Sequence, residues 1–261
     1  MSRYNWTSPV STVENGEILL RGYPIQEIME SLSYSDATFL IIRGEVPTAQ
    51  QSEVFRTCLN SILDYAMGPA PFAGRVVASA NPQLGPAMAA GILAQGKYAV
   101  SPQDMGEFLE EALVILQEEA GNFEEAATRI VLQKRALKQR IPGLGHPSAL
   151  GTDPRATRIQ QVLKENNLWN DAAKLVDAVQ IAWEQVTGKA LVVNVDGMLA
   201  VALFEIGFKP VEMGGAAAIS MLPGIIANTV HEIYNGVPIR QIPEIEYTGE
   251  PRRSLHAKEV L

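Results

Sequence analysis

The chain contains only three histidines, so imidazole-based acid–base chemistry has few candidates. His146 directly follows the glycine-rich loop Pro142–Gly145, and the glycines of such a loop let backbone amides approach a ligand closely. A predicted helix begins soon afterwards at Asp153-Pro154, where the helix dipole favours anions. The residues around His146 are compatible with either a catalytic or a structural histidine.

Asp196 is the second candidate for acid–base chemistry. It follows a largely apolar stretch, residues 192–195, and precedes Gly197. Burial in such a stretch raises the pKa of a carboxyl group and makes the carboxylate a better base. A helix N-cap explains the sequence Asn-Val-Asp-Gly equally well, because Asp and Asn are preferred at that position. Both interpretations remain open at this point.

The sequence context of the other reactive side chains, His231 and Cys58, favours packing roles for them. His231 has apolar neighbours along a predicted helix, and Cys58 lies in an apolar helical pattern, which favours a packed thiol in a reducing compartment. The histidines and the single cysteine are scattered, so none of the usual zinc-ligand spacings occurs. We therefore predict no metal site.

Apolar residues recur at helical spacing from Ile25 onward, and Thr48, Ser101-Pro102 and Asp153-Pro154 are typical helix starts. One hairpin signal, Asn15-Gly16, suits a type I′ turn. Two prolines between Gly68 and Phe72 are expected to interrupt the helical pattern. The sequence predicts an all-α fold with one short N-terminal β-hairpin.

Composition excludes several classes of partner. The formal net charge of −8 disfavours nucleic acid and anionic membrane surfaces, because both attract positive charge. No segment approaches the roughly 20 uninterrupted apolar residues of a membrane span. The N-terminal residues lack the apolar run of a secretory signal. We therefore expect a cytoplasmic protein with a small-molecule substrate.

An ordered set of short motifs resembles the citrate synthase and citryl-CoA lyase superfamily. Each motif is short, but their order is specific, and together they extend over nearly the whole chain. The matching segments are 21–25, 44–48, 72–79, 141–146, 153–156, 194–197 and 247–249. The length is closer to the compact citryl-CoA lyase branch than to full citrate synthases, which carry extra N-terminal helices.

The resemblance implies a citrate synthase-like fold with a large helical domain and a smaller one. The large domain would comprise residues 1–80 and 146–261, and the small domain residues 81–145. It further implies a homodimer or higher oligomer, with the active site near the domain junction. Coenzyme A would take part as an acyl-CoA substrate.

The resemblance also assigns roles to individual residues. Asp196 matches the general base that removes a proton from the α-carbon of the acyl thioester. His146 matches the donor to the carbonyl oxygen of the electrophile. Arg155 matches an arginine that pairs with a substrate carboxylate. The loop expected to hold the adenine of CoA consists of Pro142, Gly143, Leu144 and Gly145.

The chain departs from the family pattern at three site positions. Tyr65 replaces a histidine that stabilises the enolate, although a phenol can also donate a hydrogen bond to an enolate oxygen. Met221 and Ile242 occupy the positions of two arginines that bind the carboxylates of oxaloacetate or citrate. The substrate-binding pocket is therefore predicted to be less cationic than that of the family.

Three functions remain under consideration. The leading interpretation is an aldol- or Claisen-type lyase or synthase whose electrophile, or β-hydroxyacyl substrate, carries at most one carboxylate. The first alternative is a true citryl-CoA lyase that gives acetyl-CoA and oxaloacetate. The second is a non-catalytic ligand-binding homologue, which the replacement by Tyr65 supports. Retention of His146, Arg155 and Asp196 together favours catalysis.

Overall fold

The computed structural model describes residues 7–66, 68–145, 153–241 and 244–254. Within these ranges the chain forms eleven α-helices and one small three-stranded sheet, which confirms the predicted all-α fold. The strands are β1 (Ser11–Glu14), β2 (Glu17–Leu20) and β3 (Tyr23–Pro24). The helices are α1 (Ile25–Ser31), α2 (Tyr34–Arg43), α3 (Ala49–Ser61), α4 (Pro69–Ala80), α5 (Leu84–Leu93), α6 (Pro102–Glu118), α7 (Phe123–Ala136), α8 (Pro154–Glu165), α9 (Asp171–Thr187), α10 (Val195–Glu205) and α11 (Pro210–Asn235).

The predicted hairpin is present as antiparallel β1 and β2, with Glu14 opposite Glu17. Asn15 and Gly16 both have positive φ angles, 49° and 85°, as a type I′ turn requires. A short third strand, β3, extends the sheet. Arg21 attaches the sheet to α2, because its Nε and Nη2 donate to the carbonyl of Ile41 at 3.0 and 2.8 Å.

The predicted helix starts are confirmed, with one difference. Thr48 and Gln51 form a reciprocal capping box at the start of α3. Ser101 occupies the N-cap of α6 before Pro102, but its side chain makes no capping hydrogen bond. The prolines after Gly68 lie in the first turn of α4, where a proline's missing N–H removes no intrahelical hydrogen bond. The break between α3 and α4 therefore precedes the prolines.

Helix α10 is central to the packing. It contacts α3, α6, α8, α9 and α11, and its residues from Gly197 to Leu203 are all buried. A helix that is apolar on all faces is expected to be buried in this way. Nearby, the rings of Phe39, Phe55 and Phe208 pack together with centroids 5.1 to 5.6 Å apart.

The hydrophobic core of the described residues is one cluster. It includes Phe39 from the predicted first part of the large domain, Met105 from the predicted small domain and Val201 from the remainder. The division at residues 80 and 145 stays a prediction.

One described helix, α11, is long and apolar enough to cross a membrane. Length and composition alone do not distinguish a membrane span from a core helix. In this fold α11 packs against α3, α4, α5, α6 and α10, and Ser220, Met221 and Ile225 on it are buried. These contacts account for its apolar sequence.

A buried carboxylate joins α11, α4 and the segment that follows α11. Glu232 accepts hydrogen bonds from Arg75 Nε at 2.8 Å and from Arg240 Nε, and its side chain is fully buried. Burial alone would raise the pKa of Glu232, but Arg240 and Arg75 hold it below its ordinary value. The three side chains therefore form a charged cluster that orders the path of the chain after Asn235.

We expect Glu232→Gln to destabilise the protein by about 2 kcal/mol at neutral pH, since two charged hydrogen bonds become weaker. A lowered pKa in the folded state stabilises the fold above the ordinary value of 4.5, and this stabilisation is lost as the pH falls. Urea unfolding at several pH values measures the difference, which should shrink under acidic conditions. Glu118→Gln, at a half-exposed carboxylate, is the matched control. Equal effects of the two substitutions would contradict the prediction.

Candidate active site

The glycine-rich loop is hydrogen-bonded to the segment that leads into α10. Gly145 N–H donates to the Val192 carbonyl at 2.7 Å, and Asn194 N–H donates to the Gly143 carbonyl at 3.0 Å. The Asn194 side-chain amide donates to the Gly145 carbonyl at 2.9 Å. Leu144 pairs with Val193 as an isolated antiparallel bridge. These bonds hold the loop beside the start of α10.

Gly143 and Gly197 allow the two backbones to touch. Gly143 has a φ angle of 68°, and a Cβ atom there would lie 3.0 Å from the Gly197 nitrogen and closer still to its Cα. A Cβ atom on Gly197 would lie 2.8 Å from the carbonyl carbon of Gly143. Real Cβ atoms essentially never approach so closely, so both positions require glycine.

Asn194 caps α10, because its side-chain oxygen accepts from Gly197 N–H at 2.9 Å. The capping role that the sequence left open for Asp196 therefore belongs to Asn194. Asp196 lies in the first turn of the helix, half-buried, where the helix dipole stabilises a carboxylate. Its carboxylate makes no hydrogen bond within the part of the chain that the structure describes.

The electrostatic surroundings of Asp196 set its proton affinity. Burial raises the pKa of this carboxyl, Arg155 opposes the rise, and Asp153 adds to it. The net result is a pKa above the ordinary value of 3.8. A carboxylate with a raised pKa is a stronger base than an exposed aspartate, which suits proton abstraction from carbon.

Arg155 is held by Asp153 at the start of α8. Its Nε donates to Asp153 Oδ1 at 3.0 Å and its Nη2 to Oδ2 at 2.8 Å. Asp153 Oδ1 also accepts from Arg155 N–H at 2.9 Å and so caps the helix. This pair raises the pKa of Arg155, and the nearby side chains of Asp196 and Tyr65 raise it further. The guanidinium is thus within electrostatic range of two of the three predicted catalytic side chains, Asp196 and Tyr65.

Tyr65 lies in the turn between α3 and α4, with 58% of its surface exposed. The preceding Asp64 accepts from Asn228 Nδ2 at 2.9 Å. A Cβ atom on Gly224 would lie 2.6 Å from Asp64 Oδ1, so α11 packs directly against this turn. Asn228 and Gly224 therefore position the segment that carries Tyr65.

Two predicted site residues, His146 and Ile242, lie outside the described residues. Met221, predicted to line the substrate-binding pocket, is 4% exposed and belongs to the hydrophobic core. Its sulfur accepts a hydrogen bond from Gln95 Nε2 at 3.4 Å. Arg155, Asp196 and Tyr65 are brought together, whereas Met221 is enclosed by packing and presents no charge for a carboxylate.

The sequence predicts neither the ion pair of Asp153 with Arg155 nor the backbone contact between Gly143 and Gly197. Asp153 belongs to the motif 153–156, in which the family resemblance assigns a role in substrate binding to Arg155 alone. The glycine contact joins residues far apart in the sequence and leaves no local pattern. Among the described residues, no group of three histidine, cysteine or acidic side chains could hold a metal ion.

The helical fold thus brings a glycine-rich loop and the Asp196 carboxylate together at the start of α10, with Arg155 at the start of α8 within electrostatic range of Asp196. The citrate synthase C-terminal domain model matches residues 5–67 and 50–241, so the chain belongs to the citrate synthase family. A citrate synthase from Heyndrickxia coagulans is 25% identical over 231 residues, which is 87% of this chain. The chain spans 58% of that relative's length.

Solved structures show the same fold. The citryl-CoA lyase from Hydrogenobacter thermophilus superimposes with a TM-score of 0.88 at 29% identity, over 97% of this chain and 98% of that one. The ATP citrate lyase from Methanothrix soehngenii, in complex with citrate and coenzyme A, has a TM-score of 0.81 at 16% identity. That superposition covers 99% of this chain and 44% of the ATP citrate lyase chain. The predicted membership of the superfamily is confirmed.

We expect Gly197→Ala to destabilise the protein by about 1–3 kcal/mol, because the added methyl group overlaps the Gly143 backbone. Gly215→Ala is the matched control, since a Cβ atom at that helical position meets no atom within 4 Å. The control should be neutral or slightly stabilising. Thermal and urea unfolding measure both variants. A Gly197→Ala protein as stable as the control would refute the close contact.

Asp196→Asn should make the protein more stable at neutral pH. Because the folded-state pKa of Asp196 is raised, the unfolded chain loses this proton first, and stability falls as the pH rises through and above the ordinary value of 3.8. Asparagine removes that loss, so the advantage of the variant should vanish below this pH. Asp171→Asn, at an exposed carboxylate, is the control for unfolding titrations. A variant less stable than wild type at neutral pH would contradict the assignment.

Proposed function

We propose that this protein makes or breaks a carbon–carbon bond next to a coenzyme A thioester, with Asp196 as general base. The observation that carries the proposal is the half-buried Asp196 carboxylate of raised pKa beside Arg155, at the helix start that the glycine-rich loop contacts. Proton abstraction from carbon requires such a base. Arg155 would hold a carboxylate of the second substrate.

In the synthetic direction, Asp196 takes a proton from the α-carbon of the acyl thioester, and the electron pair moves to the thioester oxygen. The Tyr65 hydroxyl donates a hydrogen bond to this enolate oxygen. The enolate carbon then attacks the carbonyl carbon of the electrophile. His146 gives a proton to the oxygen on which negative charge develops. Cleavage runs through the same groups in reverse.

The loop Pro142–Gly145 is the proposed contact for the adenine of coenzyme A. Its residues are half-buried, and its positive φ angles at Gly143 and Gly145 turn the backbone away from a regular strand. The similarity to structures described with coenzyme A and citrate supports this role. A homodimer or higher oligomer in the cytoplasm is part of the same proposal, which rests on the family and the composition.

The proposed electrophile, or β-hydroxyacyl substrate, carries at most one carboxylate. Arg155 already forms an ion pair with Asp153, and Met221 is buried in the core. A tricarboxylate would therefore lose bidentate partners, each charged hydrogen bond being worth about 1.5–3 kcal/mol. This electrostatic argument disfavours citrate-derived substrates.

The similarity to a citryl-CoA lyase over 98% of its length favours a second candidate function, cleavage of citryl-CoA to acetyl-CoA and oxaloacetate. Oxaloacetate released from citryl-CoA would establish it. The exposed Tyr65 in place of a histidine favours a third candidate, a non-catalytic ligand-binding homologue. Such a homologue would bind an acyl-CoA without exchanging its α-protons.

Deuterium uptake from heavy water into the α-carbon of acetyl-CoA and longer acyl-CoAs tests the proposed enolisation. Wild type should exchange, and Asp196→Asn should fall to the uncatalysed rate because the base is lost. Tyr65→Phe should slow exchange roughly 100-fold, the typical effect of removing one oxyanion donor. Asp171→Asn serves as control. Absence of exchange with every thioester, even with candidate electrophiles present, would favour the non-catalytic homologue.

A further inference from the structure

The extended segment before α10 has two edges, and the glycine-rich loop covers only one of them. Gly145 N–H donates to the Val192 carbonyl on this edge. Asn194 N–H donates to the Gly143 carbonyl on the same edge. Because the hydrogen-bonding groups of an extended segment alternate between its edges, the N–H of the intervening Val193 points away from the loop. This N–H needs an acceptor on the opposite side.

The side chain of Gln180 on α9 supplies that acceptor. Its Oε1 accepts from Val193 N–H at 3.1 Å, although the two residues are 13 positions apart in the sequence. Both residues are half-buried, and a backbone N–H away from water is costly without a partner. Gln180 therefore takes the place that a neighbouring strand would have in a sheet.

Helix α9 is a firm support for this contact. It packs against α6, α7 and α10, and its residues Val176 and Val179 are buried. The helix ends at Gly188, whose φ angle of 70° is left-handed. Gln180 lies about two turns before this end, so its bond to Val193 fixes the segment after the chain has returned along the helix.

The glycine-rich loop depends on this segment more than Asp196 does. Asp196 lies on α10, which contacts five other helices and is buried from Gly197 to Leu203. The loop Pro142–Gly145 is instead hydrogen-bonded to Val192 and Asn194, on either side of Val193. A displacement of the segment would therefore move the loop and leave most of α10 in place.

We infer that Gln180 is a positioning residue, which fixes the loop Pro142–Gly145 for coenzyme A from the far side of the segment that the loop contacts. It acts through Val193 and takes no part in the chemistry. The identity of the ligand rests on the proposed function, whereas the effect of Gln180 on the order of the loop does not. Loss of the acceptor should weaken binding of the acyl-CoA and leave proton abstraction by Asp196 largely unchanged.

Site-resolved amide hydrogen exchange in the full chain tests the positioning without turnover. In Gln180→Leu, the amides of Val193 and Gly145 should exchange about tenfold faster, because the segment has lost one hydrogen bond. Gln180→Glu keeps an acceptor oxygen and should retain the exchange rates of wild type. Gln185→Leu, at an exposed position of the same helix, is the matched control. Equal acceleration at Val201 in the core, or none at Gly145, would overturn the inference.

The kinetics of α-proton exchange in acetyl-CoA separate binding from chemistry. In Gln180→Leu the KM for acetyl-CoA should rise about tenfold while kcat stays within about twofold, because the loop is displaced and the base is not. Gln180→Glu should restore the wild-type KM. A lower kcat with an unchanged KM would contradict the inference. If wild type exchanges no thioester, the proposed function fails, and amide exchange still decides the role of Gln180.

Discussion

The close approach of the Gly143 and Gly197 backbones is the constraint on which the site depends. It lets the glycine-rich loop lie directly on the first turn of α10, where the Asn194 cap and three cross-segment hydrogen bonds secure it. A methyl group on either residue would separate the two segments. Because α10 is buried among five other helices, the loop and the Asp196 carboxylate are placed relative to the whole core.

The second organising element is a short chain of charges, Asp153 to Arg155 to Asp196. Burial raises the pKa of Asp196, the guanidinium of Arg155 moderates the rise, and Asp153 limits how much of that positive charge is available. This arrangement keeps a base of raised proton affinity at the cost of some stability. Glu232 is also buried, but its two arginine partners hold its pKa below the ordinary value. These ion pairs therefore stabilise the fold.

The sequence predicted the features that depend on local chemistry. The Asn15-Gly16 turn, the Thr48 capping box and the helical periodicity are encoded within a few residues, and the structure confirms them. The ordered motifs also identified the family, and the family resemblance indicated Arg155 and Asp196 as site residues and Tyr65 as a replacement at a site position. In the structure, Arg155 lies within electrostatic range of both Asp196 and Tyr65.

Features that depend on distant contacts were not predictable. The Gly143 and Gly197 contact, the Glu232 cluster and the packing of Gly224 against Asp64 each join residues from separate elements. Local rules also left two candidates for the cap of α10, and only the hydrogen bond from Gly197 N–H to Asn194 decides between them. The burial of Met221 likewise depends on its position on α11 and not on its neighbours in the sequence.

The central claim is that an acyl-CoA lies across the loop–helix junction with its α-carbon at Asp196. A crystal structure with an unreactive thioether analogue of acetyl-CoA, in which a methyl ketone replaces the thioester, tests it most directly. We predict that the terminal methyl group contacts the Asp196 carboxylate and that the adenine lies along Pro142–Gly145. An analogue bound away from this junction, or no bound analogue even at high concentration, would contradict this claim.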